Sequence, residues 1–350
     1  MHYVRKEMMR REIGSEFSIE SINENNIVGI PALERGHLVF SGRTAIETVL
    51  LNENNIHKAL LPSYCCDSMI EPFRRADIQV KFYSVYYDGG LKVQLNVDED
   101  VDAILWCNYF GFIVPMPDLS TFIKRGGIII EDITHSFYSS KQAHDQSHYL
   151  VASLRKWEPV ICGGYCATRK GSLGKVPESV PDELFIKKKK AAMNLKSGYL
   201  SGEASINKDE FLHMYSETNE WLAENYSGLS IDDYSREYFK CVDFEVHRQQ
   251  RIRNIRVLYE GLKNHPNIEF LFLMEKMDCP LFLPVIIHYG KRDEIRKILI
   301  ENEIYCPIHW PHPNSDCESN LYDLELSLIC DHRYNEEDMN RIVQVINNKI

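Results

Sequence analysis

From residue 38 to residue 168 the chain repeats one unit: a short apolar run, a turn, then an amphipathic or polar stretch. The runs are Leu38-Val-Phe40, Lys58-Ala-Leu-Leu61, Ile78-Gln-Val-Lys-Phe-Tyr83, Ala103-Ile-Leu-Trp-Cys107, Gly127-Ile-Ile-Ile-Glu131, Tyr149-Leu-Val-Ala-Ser153 and Gly164-Tyr-Cys-Ala-Thr168. Each is too short for a buried helix and is bounded by turn residues, so each reads as a strand. Helical patterns are expected at 41–51, 66–76 and 118–124, with Pro72 a kink or restart in the second. Strands that are apolar along their whole length and separated by helices imply an α/β fold whose mostly parallel sheet is covered on both faces. In such sheets ligands bind where strands end. Gly42, Asn108, Asp132 and Ser153 all fall at such ends.

Beyond Lys170 the chain turns helical and charged. The run Lys187-Lys-Lys-Lys190 reads as the solvated face of a helix, and a long helix is expected over 243–263 with its arginines outward. From Asn267 the character changes again. Runs at 268–273 and 281–287, a helix at 291–301, the segment 305–310 and a closing helix at 336–348 suggest a small α+β lobe. The expected division is an arm at 1–35, a large domain at 36–243 and a small C-terminal domain at 244–350. A length of 350 residues suits two such lobes.

Composition narrows the partners. A net charge of −11 argues against nucleic acid. No apolar stretch approaches the roughly 18 residues of a membrane span, and the opening Met1–Arg10 is charged throughout rather than secretory. The ten cysteines are scattered, several within apolar runs, and no group has a four-ligand zinc spacing. A cytoplasmic protein with reduced thiols and no metal is the expectation.

The chemistry-bearing residues sit at the strand ends. Asp132 comes directly after the strand run Gly127-Ile-Ile-Ile-Glu131, a costly place for a carboxylate without a partner. Lys156 follows it by 24 residues, after the next strand and shortly before Gly163-Gly164. An acid and a lysine at neighbouring strand ends can hold pyridoxal 5'-phosphate (PLP): the amine bonds the aldehyde, and the acid pairs with the ring nitrogen. Arg155 and desolvation would favour the neutral amine. Ser41-Gly-Arg-Thr-Ala45 opens a helix, where free amides and the dipole favour phosphate and the Thr44 hydroxyl can donate. The same residues also suit an ordinary N-cap. Likewise Asp132 suits a loop cap, and His135 either stacks on a ring, bonds its phenolic oxygen, or is an ordinary turn histidine.

Taken in order, the Ser41-Gly-Arg-Thr turn, Leu61-Pro-Ser-Tyr64, Asp132, and Lys156 with Gly163-Gly164 resemble fold-type I PLP enzymes. More narrowly they resemble the DegT/DnrJ/StrS sugar aminotransferase family. Trp106-Cys-Asn-Tyr-Phe-Gly111, Asn225-Tyr226 and Tyr305-Cys-Pro-Ile-His-Trp-Pro311 are similar to further segments of that family, and the likeness runs from about Gly14 to the end. The resemblance implies the aspartate aminotransferase-like fold, a mostly parallel seven-stranded-type sheet with a small α+β C-terminal lobe. It implies PLP as cofactor, Lys156 and Asp132 as catalytic residues, and a cofactor site of Gly42, Arg43, Thr44, Tyr64, Asp132, His135, Ser153, Lys156 and Asn225. Asn225 would reach the phosphate of a second subunit in a homodimer. Asn108, Tyr109 and His309 would border the substrate.

The implied activity is amino transfer to a keto sugar, nucleotide-linked, with glutamate as donor, in polysaccharide or surface-glycan biosynthesis. Two rivals remain: a PLP-dependent sugar dehydratase or lyase, and a non-catalytic regulatory protein with the same fold. Some relatives of the first kind replace the lysine with histidine, so Lys156 favours transfer. Ser227 stands where the family has arginine, His135 where it has glutamine, and Ser153 lies closer to Lys156 than is usual.

Overall fold

The computed structural model describes residues 12–22, 29, 36–97, 100–276 and 278–349. Its main sheet has eight strands in the order His37–Val39, Gly164–Thr168, Tyr149–Ser153, Ile128–Asp132, Ala103–Cys107, Lys58–Pro62, Gln79–Tyr87 and Leu91–Gln94. The five strands from Tyr149–Ser153 to Gln79–Tyr87 are mutually parallel. Gly164–Thr168 and Leu91–Gln94 run antiparallel to their neighbours. The strand Leu91–Gln94 takes the sheet past the seven expected; its alternation of half-buried and exposed residues hides it from a search for apolar runs.

Alternation along the strands sends side chains to two cores. Val151 and Cys166 join the helices Gly42–Asn52 and Asp67–Arg75. Ala152, Tyr165 and Ala167 join Glu183–Leu200 and Lys208–Glu224 on the other face.

Pro72 does not restart its helix, which runs through it from Asp67 to Arg75. One lost backbone bond is offset by burial of Met69, Ile70 and Phe73 on the same element.

A three-stranded antiparallel sheet (Glu269–Phe270, Leu283–Ile286, Glu325–Leu328) is packed by the helices Phe244–Leu262, Arg292–Glu301 and Glu336–Lys349 around a separate core. Of the expected N-terminal arm, residues 1–11, 23–28 and 30–35 lie outside the described residues. Ile13–Gly14 pairs parallel with Ile304–Tyr305 beside that small sheet.

Two charge assignments need correction. Arg251 on Phe244–Leu262 points inward, fully buried. Its guanidinium donates to the Leu281 and Trp157 carbonyls at 3.2 Å and lies 4.7 Å from the Trp157 ring centroid. Within the lysine run, Lys189 is buried; its ammonium donates to Asn219 Oδ1 at 3.2 Å and lies 4.4 Å from the Tyr215 ring. No helix among the described residues is long and apolar enough to cross a membrane.

Candidate active site

At the carboxyl ends of the parallel strands lies a cleft with a cavity volume of about 70 Å³. Gly42, Arg43, Asp132, His135, Ser153 and Lys156 all line it. Six of the expected residues, far apart in sequence, are therefore brought together. Their convergence follows from the register: Asp132 pairs with Val151, so the acid and the lysine turn leave adjacent strands side by side.

The local backbone then aims each group. Glu131 faces away, its carboxylate taken by Asn108 Nδ2 at 2.8 Å and by the His144 amide at 2.9 Å. Asp132 faces the cleft and is buried. Its Oδ1 accepts from the Thr134 amide at 2.8 Å, and Thr134 Oγ1 accepts from the Ser153 amide at 2.9 Å. Trp157 Nε1 donates to the Thr134 carbonyl at 2.6 Å. Thr134, which sequence reasoning passed over, thus ties the acid-bearing turn to the lysine-bearing turn. The latter is a short 3-10 turn, Leu154–Lys156, directly after the strand. Lys156 has no hydrogen-bond or ion-pair partner among the described residues.

Burial pushes the Asp132 carboxyl up, while the Thr134 hydrogen bonds and the Lys156 charge oppose it. His135 is almost wholly buried. The Phe110 amide donates to its Nδ1 at 3.1 Å, which leaves the ring proton on Nε2. Burial, then His309 and Lys156, hold its pKa well below the usual histidine value, so the ring is neutral. Its Nε2 has no partner. The ring stacks on Trp310, which also lines the cleft and comes from the small lobe.

Close backbone approach closes the other side. Ser41 Oγ accepts from the Thr44 amide at 3.2 Å and caps the helix. A Cβ on Gly164 would lie 2.1 Å from the Ser41 carbonyl, and one on Gly42 would lie 3.1 Å from Ser153 Cβ. Only glycine at 164 lets the helix start sit against the strand. The amides of Gly42 and Arg43 donate to no acceptor among the described residues.

The other expected residues stand outside the cleft lining. Thr44 is fully buried, and its hydroxyl donates to the Tyr226 carbonyl at 2.9 Å. Tyr64 packs against Tyr109, Trp310 and Tyr322, so the rings the cleft presents are those of His135 and Trp310. Asn108 is consumed by Glu131 and by the Val114 amide, which its Oδ1 accepts at 3.0 Å. Tyr109 donates to the Tyr64 carbonyl at 2.7 Å. Asn225 is exposed and donates to the Trp221 carbonyl at 2.9 Å, the local cap of its own helix.

His309 is buried behind Trp310. Its Nδ1 lies 2.7 Å from Ser327 Oγ, and its amide donates to Glu325 Oε2 at 2.9 Å. Burial pushes the Glu325 carboxyl up to about 8, against its hydrogen bonds with Ser327 and His309 and the charge of Arg292. In the unfolded chain that group ionises near 4.5. Between these values the folded state keeps a proton that the unfolded state has lost, so this contribution to stability falls as pH rises through the window. Glu325→Gln is expected to flatten the decline of melting temperature between pH 5 and 8. Thermal melts across that range check it; an unchanged slope would contradict the assignment.

Glu158, His247 and His332 bring three possible ligand atoms within 4.8 Å of one another outside the cleft. The two imidazoles are stacked, with centroids 3.7 Å apart and planes 4° apart. Their in-plane lone pairs cannot both point at one ion in that arrangement. His247 Nδ1 lies 3.0 Å from Glu158 Oε1, and Tyr238 donates to Oε2 at 3.0 Å, so Glu158 is already engaged within the protein.

No family model matches this chain, and no curated protein matches it in sequence. Solved structures match its fold. A DegT DnrJ EryC1 StrS aminotransferase from Brucella abortus is 17% identical, with a TM-score of 0.62 over 90% of this chain and 86% of that one. A sugar aminotransferase from Micromonospora echinospora is 11% identical, with a TM-score of 0.62 over 91% and 89%. The E. coli GDP-4-keto-6-deoxy-D-mannose-3-dehydratase, solved with hydrated PLP, is 14% identical, with a TM-score of 0.60 over 90% and 88%. The chain therefore has the fold-type I, aspartate aminotransferase-like fold of PLP-dependent transferases.

Proposed function

We propose that this protein is a PLP-dependent aminotransferase acting on a keto sugar, nucleotide-linked, with glutamate as amino donor. The observation that carries this is the single cleft holding Asp132 and Lys156 at adjacent strand ends beside the helix start at Gly42. The residues fit the cofactor: an unpartnered lysine for the aldehyde, a buried carboxylate for the ring nitrogen, and unanswered amides for phosphate. His135 adds an orphaned Nε2 proton for the phenolic oxygen. Bound there, PLP supplies an electron-withdrawing ring that stabilises negative charge on the substrate carbon.

The chain's own residues do the rest. Asp132, positioned by Thr134, holds a proton on the ring nitrogen. Lys156 would hold the cofactor through its aldehyde, and its Nζ would serve as the proton carrier at the reacting carbon. Trp310 and His135 exclude water from that path. Lys156 also favours transfer over dehydration, since the resemblance puts histidine in place of the lysine in some relatives of the dehydratase kind.

The large domain is assigned to 36–243 and the small one to 244–350, with the cleft between them. The working unit is a homodimer in which Asn225 reaches the partner's cofactor phosphate. Location in the cytoplasm is supported by ten unbonded thiols, and a role in polysaccharide or surface-glycan synthesis by the sugar aminotransferases sharing the fold. Sedimentation at working concentration is expected to give a dimer; a monomer with full activity would contradict the shared site.

An absorbance screen tests the function. The PLP-loaded protein should lose its visible band with an amino donor and regain it with a keto sugar nucleotide. A protein that binds PLP but responds to no donor would instead support the regulatory reading.

A further inference from the structure

Arg155 carries a charge that the protein leaves unanswered. Its Nε is buried with no acceptor, and its guanidinium has no ion pair among the described residues. Glu16 acts on it through space, but that carboxylate is held by Asn219 Nδ2 at 2.9 Å and lies 3.9 Å from the Lys189 ammonium. Burial lowers the Arg155 pKa, and the like charge of Arg43 adds to the effect. A guanidinium whose Nε is buried without an acceptor is costly unless a ligand completes the group.

Its position says which ligand. Arg155 lines the same cleft as Ser41, Gly42, Arg43 and Ser153. Arg43 donates to Glu71 at 2.8 Å, so its charge is already partly neutralised. Arg155 is therefore the unspent cation beside a helix start with two free amides, an arrangement suited to a phosphate monoester dianion. The position of the resembled family's arginine offers no substitute. Ser227 there is exposed and bonded to Glu47, and the Gly228 amide donates to the same carboxylate at 2.9 Å.

We propose that Arg155 anchors the cofactor phosphate, a charge supplied from within the chain. This rests on the PLP reading above. Its alternative, that Arg155 receives the donor carboxylate, makes a different prediction for the cofactor.

The test is titration of the full-length wild type, Arg155→Met and Arg155→Lys with PLP and with pyridoxal, which lacks the phosphate. Imine absorbance gives each affinity. Arg155→Met is expected to weaken PLP by about 10- to 100-fold, the worth of a hydrogen bond to a charged group. Its affinity for pyridoxal should stay within about twofold of wild type, which also shows that the variant is folded. Arg155→Lys should fall between, and inorganic phosphate should compete with PLP in wild type far better than in Arg155→Met. Unchanged PLP affinity in Arg155→Met, or equal losses for PLP and pyridoxal, would overturn the assignment. Wild-type protein that takes up neither molecule would overturn the PLP reading itself, and this inference with it.

Discussion

Lys156→Ala is expected to abolish covalent attachment of PLP and to lower amino transfer by about 10³-fold or more, since both the imine bond and the proton carrier go. The fold should survive, because Lys156 makes no hydrogen bond or ion pair among the described residues. Melting temperature close to that of wild type, no visible band, and near-zero turnover form the expected set. Added small amines should restore a fraction of the rate, as they can replace the proton carrier but not its placement. A variant that keeps the visible band and more than about a tenth of the activity would place the essential amine elsewhere.

Asp132→Asn carries the second large effect. The amide keeps the shape, and its oxygen can still accept from the Thr134 amide. What would be lost is the negative charge proposed to face the ring nitrogen. A loss of about 10²-fold or more in kcat is expected, the scale of one preorganised electrostatic contact, with cofactor affinity reduced far less. Asp132→Glu should not recover full activity, because the longer side chain would have to fold back within a turn fixed by Thr134 and Ser153. Kinetics with donor and keto sugar measured separately check this. Near-wild-type kcat in Asp132→Asn would show that the acid has another role, such as the loop cap its bond to Thr134 also makes.

The framework of the sheet was legible because buried parallel strands leave an unambiguous trace. Ala103–Cys107 and Tyr149–Ser153 occupy the positions their apolar runs mark. The edge strand Leu91–Gln94 left no such trace, being half solvated. Asp132 and Lys156 stood out because each is a charge at the end of an apolar run.

What stayed hidden depends on pairing across long separations. Arg251 looks like any helix-surface arginine until the Leu281 and Trp157 carbonyls are brought to it. The part of Thr134 emerges only once Asp132 is in register with Val151. Tyr109 is placed near the ligand by motif likeness, Asn108 also by its strand end, and Thr44 also by its place at a helix start. Their hydrogen bonds are instead spent on neighbouring turns, as buried polar groups require. Arg155 was visible as a neighbour of the lysine, but nothing in the sequence shows that it lacks a counter-charge.

The central claim is that this cleft binds PLP through Lys156. Wild-type protein loaded with PLP, reduced with borohydride and digested should yield one pyridoxyl-labelled peptide, with the label on Lys156. A label on a different lysine, or none despite a visible PLP band, would contradict the account.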